Sequence, residues 1–162
     1  MKSSWSSLRR RVESVRAARR RGQLALFLES FSVAFVTPAL VRLPPEQLNA
    51  FLEWMFRRPA RTPGDDPEAV ASMVLDMLEA ARPFVRAGCL TRGMALYFAL
   101  RRAAVDATLT FGMGSVAEGD GYDGHCWVVL LGEPFRERRD PRRHFVPMYS
   151  FGRGAVARRP SV

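Results

Sequence analysis

Apolar positions recur at helical spacing through the first half of the chain and at strand spacing in the second. Within Gln23 to Val36, Leu24, Phe27, Leu28, Phe31 and Phe35 fall close to a 3.6-residue period, with Pro38 just beyond. This predicts a helix that buries one face and stops before the proline. Ser3 to Arg20 reads as a polar helix or a frayed arm. Pro44 and Pro45 suit a helix start, where a missing N–H costs nothing, and Leu48, Phe51, Leu52, Met55 and Phe56 form the next stripe. Arg58 to Asp66, with Pro59, Pro63 and Gly64, reads as a loop. Asp66 can cap and Pro67 can open a further helix through Val70, Met73, Val74, Met77 and Leu78, ended by Pro83. Met and aromatic stripes at this spacing are core positions rather than ligand sites.

Cys89 to Ala104 is helix-patterned again. From Asp106 the period becomes two: Ala107, Leu109 and Phe111 alternate with Thr108 and Thr110, as in a strand. Gly112 to Gly124 holds five glycines with Glu118, Asp120 and Asp123, and reads as a mobile loop. Gly124 to Leu131 is apolar on both faces, as a central strand is, and Gly132 offers a turn into a further strand, Pro134 to Arg139. The whole is an α+β chain with no internal repeat. N-terminal helices pack with a small antiparallel sheet and a cysteine-bearing helix. We divide it into 1–82, a basic arm and helical subdomain, and 83–162, the core that carries the chemistry, with a basic tail.

A length of 162 residues, 48% hydrophobic and 25% charged, suits one globular domain with a sizeable core. The net charge of +9 sits at the two ends. Residues 1–22 carry Lys2 and seven arginines against Glu13, residues 136–162 carry eight arginines against Glu137 and Asp140, and the middle is net negative. Such ends suit an acidic peptide or an anionic membrane surface. Specific nucleic-acid binding is not expected, because Trp5 is the only aromatic in the basic arm and no groove-binding motif occurs. Arginine-rich composition in a solvated face is the plainer reading of the same charge. The basic stretch ahead of the apolar run imitates a signal peptide, but Glu29 interrupts that run, which is also short for a membrane span. Cys89 and Cys126 are too few for a disulfide framework, so the expected compartment is the reducing cytoplasm.

Cys89 opens its helix, where unpaired backbone N–H groups carry partial positive charge, an environment that favours thiolate in cysteines so placed. His125 opens a downstream strand and supplies an imidazole to complete a nucleophile and base pair. The plain alternative makes Cys89 a small buried hydrophobe and His125 a hydrogen-bonded strand residue. Zinc is disfavoured, since adjacent strand residues His125 and Cys126 point to opposite faces and paired-ligand spacing is missing. The acidic glycine-rich stretch lacks calcium-loop spacing, and its glycines precede a strand rather than a helix, against a phosphate cradle. No metal or cofactor is expected.

Cys89-Leu-Thr-Arg92 leading into Leu100-Arg-Arg102, the strand Ala107-Thr-Leu-Thr-Phe111, and Gly124-His-Cys-Trp-Val128 with Gly132 after it resemble the transglutaminase-like superfamily. The resemblance is specifically to the cysteine proteases that remove leader peptides during bacterial lasso-peptide maturation, and it is firmest from about residue 83 to 140. It implies a papain-like core with Cys89 as nucleophile, His125 as general base and then acid, a third residue orienting the imidazole, and the Cys89 N–H as an oxyanion donor. It also implies a precursor peptide as substrate, a separate leader-recognition protein and a cyclase. Two residues depart from the family pattern: the third position, commonly aspartate, corresponds to Glu137, and Cys126 stands where alanine is common.

The third residue can also be argued from register. A three-residue loop, Leu130 to Gly132, with glycine in a bulge position would pair Val129 with Glu133 and turn His125 toward Glu137. A two-residue Gly132-Glu133 turn would instead bring Asp140 opposite His125. The first is favoured, and Asp140 stays as the alternative. Two other functions stay open beside the peptidase: a non-catalytic peptide-binding or scaffold protein of the same fold, and an acyl transferase using the same Cys/His pair.

Overall fold

The computed structural model describes residue 16 and residues 23–56, 66–82, 84–86, 88–115 and 122–152. The arm read over Ser3 to Arg20 lies outside these, apart from Arg16, as do most of the loop 58–66 and the acidic centre of the glycine-rich stretch. Among the described residues four helices of more than one turn precede the sheet: α1 (Leu24–Leu40), α2 (Pro45–Phe56), α3 (Pro67–Ala81) and α4 (Cys89–Arg102). The strands are β1 (Ala107–Ser115), β2 (Tyr122–Leu130), β3 (Glu133–Phe135) and β4 (Val146–Phe151), with a short 3₁₀ turn at Pro141–Arg143. They form one antiparallel sheet in the order β3-β2-β1-β4. The architecture is α+β.

Helix α3 starts as its residues dictate. Asp66 accepts from the Glu68 N–H, Pro67 occupies the first turn, and Val70, Met73, Val74, Met77 and Leu78 are all buried. Helix α1 departs from its pattern in two ways. It runs on to Leu40 with Pro38 inside, and it buries Leu26, Phe27, Ser30, Val33, Ala34 and Thr37 while Leu28 and Phe35 are exposed. Ser30 and Thr37 can be buried because each hydroxyl donates back to a carbonyl one turn earlier, Leu26 and Val33 respectively, at 2.7 Å. The Arg102 guanidinium, almost fully buried on α4, pairs with Glu29 of α1 at 3.1 Å. That is the physical use of the acid that interrupts the apolar run.

Helix α4 lies at the centre of the core. Met94 through Leu100 is an unbroken buried stretch, packed by α1 and α3 on one side and by Ala107, Leu109, Cys126 and Val128 of the sheet on the other. At Gly93 a Cβ would come within 2.7 Å of the Cys126 sulfur, so this glycine is what lets the helix sit on β2.

The sheet is larger than its pattern indicates. Gly112 to Ser115 and Tyr122 to Gly124, read as loop, are strand paired in register, Gly112 with His125 and Gly114 with Asp123. Gly112 and Gly114 serve close approach: a Cβ at Gly112 would lie 2.7 Å from the Trp127 ring, and one at Gly114 would overlap the His144 carbonyl. Strand β4 (Val146–Phe151) has no alternating pattern in the sequence to announce it. It carries Pro147, which is tolerated because β4 is an edge strand, and it joins β1 across a register shift between Phe111 and Gly112.

Candidate active site

Cys89 is the first residue of α4. Its N-cap is Gly88, which offers no side-chain acceptor, so the first-turn N–H groups keep their positive end uncapped by side chain. The thiol is partly exposed, and its sulfur lies 4.0 Å from the carbonyl oxygen of Gly124, the residue before His125. Cys89 and His125 border one cavity of ≈ 450 Å³ whose other walls are largely apolar, with Leu90, Phe111, Met113 and Met148 among them.

The imidazole of His125 is fixed from several directions. Its ring stacks on Trp127, centroids 5.9 Å apart, and on Phe145 at 5.0 Å. Its Nε2 lies 3.2 Å from Oε2 of Glu137, and both side chains are mostly buried. The other carboxylate oxygen of Glu137 faces the Arg92 guanidinium at 3.6 Å, and Arg92 also donates to the Arg136 carbonyl. Arg92 lies three residues after Cys89, so one helix turn supplies the thiol and a cation for Glu137. That i, i+3 spacing was the available signal for it. Phe145, from the segment ahead of β4, had none.

Asp140 does not reach His125. It caps the 3₁₀ turn through the Arg142 N–H at 3.0 Å, and its carboxylate is clasped by the Arg142 guanidinium at 2.9 Å. That contact holds its carboxyl below the usual carboxylate range. Arg142 reaches onward to Glu133 at 2.6 Å.

Neither predicted turn forms. Leu131 and Gly132 make a two-residue turn with φ of 53° and 85°, pairing Leu130 with Glu133 and Val128 with Phe135. A ladder continued in that register would bring Arg138 opposite His125. Pairing instead stops at Phe135, well short of the Arg139 expected as the strand's end, and Arg136 takes a left-handed φ of 58°. That one backbone reversal carries Glu137 to the ring. Arg136 is tied down in turn by Glu68 and by the Ser72 hydroxyl of α3, the latter at 3.3 Å.

Cys126 has a different setting from Cys89. It is buried against α4, and burial above all, with the nearby Cys89 and Glu137 adding to it, pushes its thiol well above the ordinary cysteine range. Among the described residues no group of three or more His, Cys, Asp or Glu side chains is arranged to hold a metal, and no helix is long and apolar enough to cross a membrane.

A family model described as the transglutaminase-like superfamily matches residues 33–150, from within α1 into β4. No curated protein and no solved structure matches the chain. Since the matched segment takes in the C-terminal half of α1 and the later elements into β4, including all the residues around His125, the chain belongs to the transglutaminase-like superfamily.

Proposed function

We propose that the chain is a cysteine peptidase that removes the leader from a ribosomally made precursor peptide. The superfamily includes cysteine peptidases and acyltransferases. The observation that carries the proposal is the contact of His125 Nε2 with Glu137 Oε2 at 3.2 Å, on an imidazole that also borders the cavity holding Cys89. A carboxylate at Nε2 makes that nitrogen the donor and leaves Nδ1 as the proton acceptor toward the thiol.

In this reading His125 Nδ1 takes the Cys89 proton, and the sulfur attacks the scissile carbonyl carbon. The carbonyl oxygen becomes an oxyanion at the uncapped start of α4, where the Cys89 N–H can donate to it. The imidazolium, held by Glu137, gives its proton to the leaving amine as the C–N bond breaks. A water, deprotonated by the same imidazole, then cleaves the thioester and restores the thiol. Cys89 and His125 are the reacting groups, and Glu137 is a positioning residue. Its place in the reading is favoured over that of Asp140, whose carboxylate is occupied by Arg142.

The same thioester could pass to an amine or alcohol instead of water, and the apolar walls beside Cys89 favour that second reading. The partners in the peptidase reading are the precursor, a leader-recognition protein and a cyclase, acting in the cytoplasm. The test is to combine the chain with the short precursor and leader-binding protein encoded near its gene and to weigh the products. A free leader is expected, lost in Cys89→Ala while partner binding persists. An acylated product would indicate transfer, cleavage that survives Cys89→Ala would remove the thiol mechanism, and a neighbourhood without such genes would remove the leader role.

A further inference from the structure

A second cavity bordered by His125 carries more positive charge than the cleavage chemistry requires. It measures ≈ 710 Å³ and is bordered by His125, Arg92, Arg136, Glu137, Arg138 and Arg139, among others. Its acids are already satisfied: Glu137 faces His125 and Arg92, and Asp140 is clasped by Arg142. Arg136 is likewise engaged, by Glu68. Arg138 and Arg139 are exposed and have no carboxylate partner among the described residues. Two unengaged guanidiniums therefore stand on the wall of a concave site that shares the His125 ring with the Cys89 cavity.

We propose that this cleft selects a peptide carrying an acidic side chain within a few residues of the bond that is cut, with Arg138 and Arg139 as the specificity-determining residues. The inference rests on the peptidase reading, and it adds the substrate's charge. A guanidinium presents paired N–H donors that match a carboxylate, and such charge-assisted bonds exceed neutral ones in strength. A cleft with a single sign of unneutralised charge concentrates its field and so draws anions, and the same field repels a basic peptide. The volume is that of a binding cleft for several side chains rather than of a single ion.

The probe is a set of short peptides built around an epoxysuccinyl group, which alkylates a thiol by ring opening: a C–S bond forms, a C–O bond breaks and the alkoxide takes a proton. Each residue on either side of the epoxide is made Glu, Gln or Lys in turn. The rate of Cys89 alkylation is followed by mass spectrometry and divided by that protein's own rate with iodoacetamide. At one position or more the Glu probe should react about tenfold faster than its Gln twin at low salt, as expected for about 1.4 kcal/mol from one charge-assisted contact. The ratio should fall toward one in Arg138→Gln/Arg139→Gln and with added salt. In Arg138→Glu/Arg139→Glu the Lys probe should overtake the Glu probe. Equal Glu and Gln rates at every position, with Cys89 still the preferred thiol for iodoacetamide, overturn the acidic-substrate inference alone. A Glu preference undiminished in the double Gln variant assigns the charge to another part of the chain and overturns it too. Alkylation that falls on Cys126 rather than Cys89 removes the peptidase reading and the inference with it.

Discussion

The two sides of His125 differ in kind. Toward Cys89 the walls are largely apolar and the thiol sits at an uncapped helix start; toward Glu137 they carry four arginines and two carboxylates, most of them already paired. In the proposed reaction the difference separates two tasks of a single imidazole. In that reading the apolar side strengthens the attraction between thiolate and imidazolium, whereas the charged side holds the ring in one tautomer and supports it once protonated. Both are built from short-range elements: one helix turn places Cys89 and Arg92, and one left-handed residue, Arg136, places Glu137.

The largest expected break of this division is Cys89→Ala. It removes the proposed nucleophile and should lower processing by about a thousandfold or more, with folding retained, measured as product release beside thermal unfolding. Glu137→Gln comes next. It keeps the size but removes the charge behind the imidazolium, so turnover should fall on the order of a hundredfold while the KM for the same peptide moves far less. Retained turnover would mean that the charged side serves structure only. Glu137→Asp shortens the acid, and partial retention is expected.

Gly112→Ala tests how the ring is seated. The added methyl would meet the Trp127 ring on which His125 stacks, so a loss of about 1–3 kcal/mol in denaturant unfolding is expected, with slower processing if the stack shifts. An unchanged unfolding midpoint would contradict the close approach. Asp140→Asn is the smallest. It disturbs a pairing with Arg142 that solvent screens and that lies away from the ring, so turnover should stay within about threefold of the parent. A severe loss there, with little change in Glu137→Gln, would exchange the roles of the two acids.

What could be read from the residues alone follows from where the information lies. Helix α3 was legible because its cap, its N-terminal proline and its apolar stripe are all local and agree. The buried face of α1 was not, since Ser30 and Thr37 satisfy their own hydroxyls within the helix and lie in the core while Phe35 does not. Gly112 and Gly114 looked like loop because their reason is tertiary, a ring and a carbonyl arriving from distant segments. Strand β4 hides behind Pro147, and the turn at Leu131 hides because nothing in a leucine announces positive φ. For the candidate site, the residues could be narrowed to Cys89, His125 and one of two acids. Which acid meets the ring depends on the reversal at Arg136, a backbone event that periodicity does not register.

The central claim is that Cys89 is a nucleophile served by His125, and alkylation at neutral pH tests it without any knowledge of the substrate. Iodoacetamide should modify Cys89 well before Cys126, whose buried thiol is held protonated, and this order should persist as pH rises to about 9, near the range of an unperturbed cysteine. In His125→Ala the Cys89 rate should fall by about tenfold or more at neutral pH. Faster labelling of Cys126, or a Cys89 rate that is the same with and without His125, would contradict the account.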